Sequence, residues 1–143
     1  MADMNASAAF PPVPPAPPTL SVVVPMHGEE KGMDALFARL LPVLEGIDPA
    51  FEVVCVDDGS RDRTLERLKA WNAREPRVRA ISLSRNFGKE VAIAAGLRYA
   101  RGEAVVIIDA DLQHPPETIV EFVRLWREGY RNVYGVRRDR ETD

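Results

Sequence analysis

Two aspartates one residue apart, Asp109 and Asp111, are the sharpest chemical signal in the chain. They follow the wholly apolar run Ala104–Ile108 (AVVII), where a buried strand would give way to a loop. Carboxylates at i and i+2 leaving a strand point to the same side, so both can approach one hard cation such as Mg²⁺ or Mn²⁺. An ion held there would bridge a diphosphate and neutralise charge on a departing nucleotide. A pair of solvated loop aspartates, or caps for a helix opening near Pro116, would look the same in isolation. The position after AVVII, with Leu112-Gln113-His114-Pro115-Pro116 following, favours the functional reading.

A second acidic pair lies in Asp57-Asp58-Gly59-Ser60. Carboxylates at a strand end can accept hydrogen bonds from a base N–H and from ribose hydroxyls. A turn leading into a capped helix accounts for the same residues. Both readings hold together if Asp57 faces a ligand and Ser60 caps. Asn86-Phe87-Gly88-Lys89 raises a similar pair of alternatives: Lys89 reaching a phosphate while Gly88 allows close backbone contact, or a helix-starting turn with Lys89 in water. Arg137 is either a phosphate ligand or part of a basic surface run. His27 and His114 are the only histidines, and neither has a histidine or cysteine at zinc-ligand spacing. His114 stands beside the aspartate pair, as a support for it or as a surface residue. No G-x-G-x-x-G follows the first apolar run and no P-loop is present, so diphosphate charge falls to a metal and to basic side chains.

The elements that must position these residues alternate in type. Leu20–Pro25 (LSVVVP) and Glu52–Val56 (EVVCV) are continuous apolar runs rich in β-branched residues, as strands buried on both faces require. Val78–Leu83, Ala104–Ile108 and Arg131–Val136 are the third, fourth and fifth expected strands. Between them, Met33–Gly46 sets Leu36, Phe37, Leu40, Leu41 and Leu44 on one helical face, with Pro42 a candidate kink. A second helix, capped by Ser60 or Asp62, carries Leu65, Leu68 and Trp71. A third runs to about Arg101 with Gly102 as a left-handed stop. A fourth starts at Pro116, presents Ile119, Phe122, Val123 and Trp126, and ends near Gly129. The expected fold is therefore α/β: a mostly parallel sheet, Rossmann-like, with right-handed crossovers and helices on both faces. Ligands of such sheets bind beyond the carboxyl ends of the strands, and every polar motif above sits there.

With 143 residues, 45% of them hydrophobic and 29% charged, the chain has the makings of one globular domain. The expected division is a disordered proline-rich leader over residues 1–18 and a domain over 19–143. The formal net charge of −3 supplies no basic field for nucleic acid. The single cysteine, Cys55, reads as a buried strand residue in a reducing compartment. No apolar run approaches the ~18–20 residues of a membrane span, and no signal-peptide pattern opens the chain. The expected location is cytoplasmic.

Taken in order, VVVPMHGEE (Val22–Glu30), VDDGSRDRT (Val56–Thr64), RNFGKE (Arg85–Glu90), AGLRYARGEAVVIIDADLQHPPE (Ala95–Glu117) and YGVRRDR (Tyr134–Arg140) resemble the family 2 inverting glycosyltransferases. Within that family they are most similar to the polyprenyl-phosphate branch of bactoprenol glucosyltransferases and dolichol-phosphate mannosyltransferases. The resemblance covers about Leu20 to Arg140. It implies a GT-A fold, a nucleotide-diphosphate sugar donor (UDP- or GDP-linked) held with Mg²⁺ or Mn²⁺, and a polyprenyl phosphate acceptor. It puts Pro25, His27, Glu29 and Asp57 at the base and ribose, Asp109 and Asp111 at the metal and diphosphate as the catalytic pair, and Gln113 and Arg137 near the sugar and phosphates. With Asp58, Lys89 and Ala110 these complete the expected donor-binding set.

Two departures stand out. Family members usually carry aromatic-Asn-Glu where this chain has His27-Gly28-Glu29, so His27 takes the stacking position and an amide is lost at Gly28. They also continue with an acceptor-binding half, a later carboxylate suited to act as general base, and in this branch membrane helices. The expected place of the full-length protein is the cytoplasmic face of the membrane, reached through such downstream segments. A polyprenyl phosphate is already ionised, so positioning matters more than a base. Two rival readings remain: a truncated, non-catalytic nucleotide-sugar-binding module, and an Asp-x-Asp phosphotransferase of the haloacid dehalogenase type with Asp109 as nucleophile and Asp111 as acid. In the latter the pair follows the first core strand, whereas here it follows the fourth.

Overall fold

β-Branched residues without alternation build the centre of the sheet. β1 (Leu20–Met26, LSVVVPM) and β2 (Phe51–Asp57, FEVVCVD) pair in parallel, Leu20 opposite Phe51 and Met26 opposite Asp57, and are buried along almost their whole length. β3 (Val78–Ser82) flanks β2, and β4 (Ala104–Ile107) flanks β1, both in parallel. The order β3-β2-β1-β4 reverses at β1, which makes the gap between β1 and β4 the switch point of the sheet. The computed structural model describes residues 16–131. Arg137, most of the leader and, but for Arg131, the expected fifth strand lie outside them.

Two apolar layers sandwich this sheet, as anticipated. On one face α1 (Met33–Ile47), α2 (Thr64–Arg74) and α4 (Thr118–Arg127) supply Met33, Phe37, Leu40, Leu44, Leu68, Ile119 and Val123 against Val22, Val24, Val53 and Cys55. On the other, α3 (Lys89–Tyr99) lays Ala92 on Val23, Val54 and Val56. α3 crosses β1 and β2, and among the described residues no helix covers β4 on that face. Val105 is 41% and Ile107 46% exposed on that side of β4.

Local details depart from expectation where tertiary contacts override sequence cues. α1 continues through Pro42. Of the two expected caps of α2, Asp62 accepts the Thr64 N–H at 3.0 Å, two residues before the helix, while Arg63 takes the N-cap position without a side-chain bond. α3 stops at Tyr99, and Gly102 is not a left-handed terminator. Glycine is required there by crowding, since a Cβ would lie 2.6 Å from Ser21 Oγ and 2.7 Å from Ser21 N. α4 opens at Thr118, two residues after Pro116.

That tight turn is tied to the sheet by Glu52, which is 2% exposed at the amino end of β2. Its carboxylate accepts from Ser21 Oγ (2.6 Å), the Arg101 N–H (2.6 Å) and Arg79 Nη1 (2.6 Å), while Ser21 Oγ accepts the Gly102 N–H at 2.8 Å. Burial pushes the Glu52 pKa upward, but the hydrogen bonds from Ser21, Arg101 and Arg79 outweigh it and hold the group below the ordinary carboxylate value. The stability it contributes is therefore present above its unfolded pKa, near 4.3, and is lost as pH falls through the lower folded value. Glu52→Gln is expected to destabilise the domain by about 2–3 kcal/mol at neutral pH and to flatten the acid limb of its stability profile. Urea unfolding across a pH series checks this; a variant with the wild-type acid limb would contradict it.

Candidate functional site

A missing hydrogen-bond donor opens the site. Val23 faces β4 and accepts the Ile108 N–H at 3.0 Å. Pro25, two residues on and facing the same neighbour, has no N–H to give, so the β1–β4 ladder ends. On its other side β1 stays paired, with the Met26 carbonyl accepting the Asp58 N–H at 2.8 Å. β1 and β4 part, and a crevice of about 340 Å³ forms at their carboxyl ends.

Nine of the expected donor-binding residues line this crevice: Pro25, His27, Glu29, Asp58, Lys89, Asp109, Ala110, Asp111 and Gln113. Met26, Asn86, Gly88 and Ala92 complete the wall. Of these, Asn86 and Gly88 had a sequence signal in the Asn-Phe-Gly-Lys motif; Met26 and Ala92 read only as core. Asp57 is the departure. It is 2% exposed, off the wall, and its carboxylate turns back to accept the Ser60 N–H at 3.3 Å. Ser60 in turn accepts the Gly28 N–H at 2.9 Å, so it braces the loop after β1 instead of capping α2.

Asp58 carries the local architecture. Its two oxygens accept the Phe87 and Gly88 N–H groups at 2.8 and 3.0 Å, fixing the start of α3. The backbone donors expected to meet a phosphate are thus already occupied by a carboxylate. The loops after β2 and β3 also touch at Gly59, whose φ is +65° and where a Cβ would fall 2.3 Å from the Arg85 carbonyl carbon. His27 is held by the same assembly: Nδ1–H donates to the Asp58 carbonyl at 2.9 Å, and the Asn86 amide nitrogen lies 3.1 Å from Nε2 and 3.4 Å from Nδ1. The Asp58 carbonyl calls for a hydrogen on Nδ1, and the two contacts hold the ring in place. Gly28 sits at φ +69°, a left-handed position that asparagine also tolerates, so the Asn-to-Gly departure leaves the backbone path intact.

Across the crevice, β4 ends at Ile107 and the aspartates sit on a turn, not on strand alternation. The Asp109 carbonyl accepts the Leu112 N–H at 3.1 Å, and Leu112 adopts φ +55° while its side chain packs on the core. Such strain persists only where packing enforces it, and it is often found at functional sites. Asp109 Oδ1 pairs with Lys89 Nζ at 2.6 Å, and Asp111 Oδ2 accepts from Gln113 Nε2 at 3.2 Å. Glu29 faces them with its pKa raised, first by burial and then by Asp111 and Asp62, with His27 opposing. Among the described residues no three His, Cys, Asp or Glu side chains converge to hold a metal. Two carboxylates at a polar crevice suit Mg²⁺ or Mn²⁺, which take oxygen ligands and leave other positions to water and phosphate oxygens. His114 stands off this crevice, on an adjoining apolar groove.

A parallel sheet with its polar residues gathered at the switch point defines an α/β domain whose ligand crevice lies at the carboxyl ends of its strands. Residues 21–143 match glycosyl transferase family 2, and the chain belongs to that family. It is 52% identical over 124 residues to an uncharacterized glycosyltransferase of Synechocystis sp., covering 87% of this chain and 39% of that protein. It is 43% identical over 125 residues to the undecaprenyl-phosphate 4-deoxy-4-formamido-L-arabinose transferase of Pseudomonas paraeruginosa, covering 87% and 37%. Among solved structures, a mannosyltransferase from Pyrobaculum calidifontis in complex with GDP-Man and Mn²⁺ superposes with a TM-score of 0.65 at 28% identity, over 92% of this chain and 39% of that one. S. aureus TarS 1-349 gives 0.63 at 28% identity, over 84% and 38%. The fold is GT-A, and the chain spans well under half the length of these relatives.

Asp58→Asn puts an N–H₂ where one of two backbone N–H groups now finds an acceptor. It is expected to destabilise the domain by about 1–3 kcal/mol and to speed amide exchange at Phe87 and Gly88 above all. Hydrogen exchange resolved by residue decides this; unchanged protection at those two amides would refute the bracing role.

Proposed function

We propose that this chain is the donor-binding part of a glycosyltransferase that moves a sugar, with inversion, from a nucleotide-diphosphate sugar to a polyprenyl phosphate. The observation that carries the reading is the meeting of Asp109 and Asp111 with His27, Glu29 and Lys89 in one crevice at the switch point. The fixed His27 ring offers a flat surface for the base, and Glu29 offers acceptors for ribose hydroxyls. Asp109 and Asp111 would hold Mg²⁺ or Mn²⁺, which supplies charge neutralisation for the departing diphosphate. Lys89 stands on the same wall and adds a second cationic group. Support for a nucleotide sugar and a divalent ion comes from the mannosyltransferase neighbour, and support for a lipid phosphate from the undecaprenyl-phosphate transferase relative.

In the transfer, an oxygen of the acceptor phosphate bonds to the anomeric carbon as the bond to the diphosphate oxygen breaks, and the nucleoside diphosphate leaves. An ionised acceptor needs no proton removed, so the protein's task is to hold donor and acceptor in line. Among the described residues no helix is long and apolar enough to cross a membrane. Contact with the cytoplasmic face of the membrane is proposed for the whole protein, whose relatives extend well beyond this length. The chain's place in glycosyl transferase family 2 leaves the phosphotransferase reading without support.

The test is calorimetry with UDP and GDP, with Mn²⁺ or Mg²⁺ and with EDTA. One of the two nucleotides is expected to bind at least about tenfold tighter with metal, and Asp109→Asn and Asp111→Asn to lose that gain while keeping the wild-type melting temperature within a few degrees. Equal affinity in metal and EDTA would defeat the reading, and collapse of both variants would assign the aspartates to the fold.

A further inference from the structure

The two candidate metal ligands are unequally compensated. Asp111 accepts only from the neutral Gln113 amide among its described partners, whereas Asp109 carries a full counter-charge, Lys89 Nζ at 2.6 Å from Oδ1. Lys89 is the first residue of α3, and its backbone is pinned because Asp58 holds the two preceding N–H groups. Its side chain is 61% exposed, and it borders both the polar crevice and the apolar groove lined by Ile93, Ile107 and Phe122. The ammonium is therefore a mobile charge on a fixed base, with room to move off Asp109 and remain in the crevice.

We propose that Lys89 is a built-in counter-cation that must leave Asp109 when metal binds, and that this exchange makes metal and nucleotide binding cooperative. The proposal rests on the donor-site reading above. The ammonium occupies Oδ1 of Asp109 at 2.6 Å, and a divalent ion on either oxygen of that carboxylate meets its direct repulsion. Metal alone must break the pair and leave the freed Lys89 without a partner. A diphosphate supplies that partner: its oxygens accept from Lys89 in the position Lys89 takes once released from Asp109. Each ligand thus favours the Lys89 position that the other needs, and the coupling is reciprocal.

The experiment measures Mn²⁺ binding by electron paramagnetic resonance, with and without UDP or GDP, on the 143-residue chain and on Lys89→Gln and Lys89→Arg, with a thermal melt of each. In K89Q, Mn²⁺ alone is expected to bind about twofold to fivefold tighter, the range an exposed ion pair is worth, because its competitor is gone. The factor by which nucleotide tightens Mn²⁺ is expected to shrink in the same variant. K89R, which keeps the charge, is expected to restore weak metal-alone binding and most of the coupling, and Lys89→Met, which removes the charge on a chain of similar length, carries the same expectation as K89Q and preserves the test if K89Q fails to fold. Wild-type coupling in a folded K89Q, or unchanged metal-alone affinity, would overturn the counter-cation role while leaving the donor-site reading intact. Failure of the wild-type chain to bind Mn²⁺ under any condition would overturn both.

Discussion

Everything at the carboxyl end of this sheet depends on one absent N–H, that of Pro25. Without that N–H, the β1–β4 ladder cannot continue past Ile108 through Pro25, at the point where the strand order reverses. Instead β1 stays bonded to β2 through Met26 and Asp58 while β4 turns away. The crevice, the path of the loop bearing His27 and Glu29, and the turn bearing Asp109 and Asp111 all follow from this parting. Leu112 completes it, with an unfavourable backbone angle held by a side chain anchored in the core.

The acids at the strand ends divide by how their charge is met. Asp57 and Asp58 are almost wholly buried and are satisfied by backbone N–H groups of Ser60, Phe87 and Gly88. They hold loops. Asp109 is met by an exposed lysine, Asp111 by an amide, and Glu29 keeps its proton to a higher pH than an ordinary glutamate, chiefly because burial and Asp111 disfavour its charge. These three leave a net demand for positive charge in the crevice. Fixed carboxylates that hold the loops and under-compensated ones that face each other across the crevice give the site both shape and a preference for a cation.

Much of this was legible in the residues themselves. Uninterrupted runs such as VVV and EVVCV can only be strands covered on both faces, and the helices between them force parallel pairing. The clustering of nine expected donor residues follows from topology, because each motif stands just after a strand. What escaped was set by partners distant in sequence. Nothing in Asp57-Asp58 reveals which of the two turns inward, since the choice is made by the N–H groups of Phe87 and Gly88, about thirty residues on. Ser60 looks like a cap until Gly28 arrives beside it, and Gly102 looks like a helix stop until Ser21 is seen to leave no room for a side chain. Even the side-by-side placement of Asp109 and Asp111 was anticipated for the wrong geometric reason, as a turn does what strand alternation was expected to do.

The bare side of β4 has a consequence for how such a chain comes into being. Among the described residues, Val105 and Ile107 are exposed on a strand paired on one edge, without a charged residue or proline in Ala104–Ile107 to discourage a newcomer. During synthesis, once β4 has docked on β1, the nascent polypeptide presents a short aliphatic template to whatever extended segment reaches it first. Its own continuation competes there with neighbouring ribosomal products, and the contest is decided by tether length and speed rather than by final stability. The same four residues that complete the binding half of the sheet thus set a kinetic hazard for every copy made.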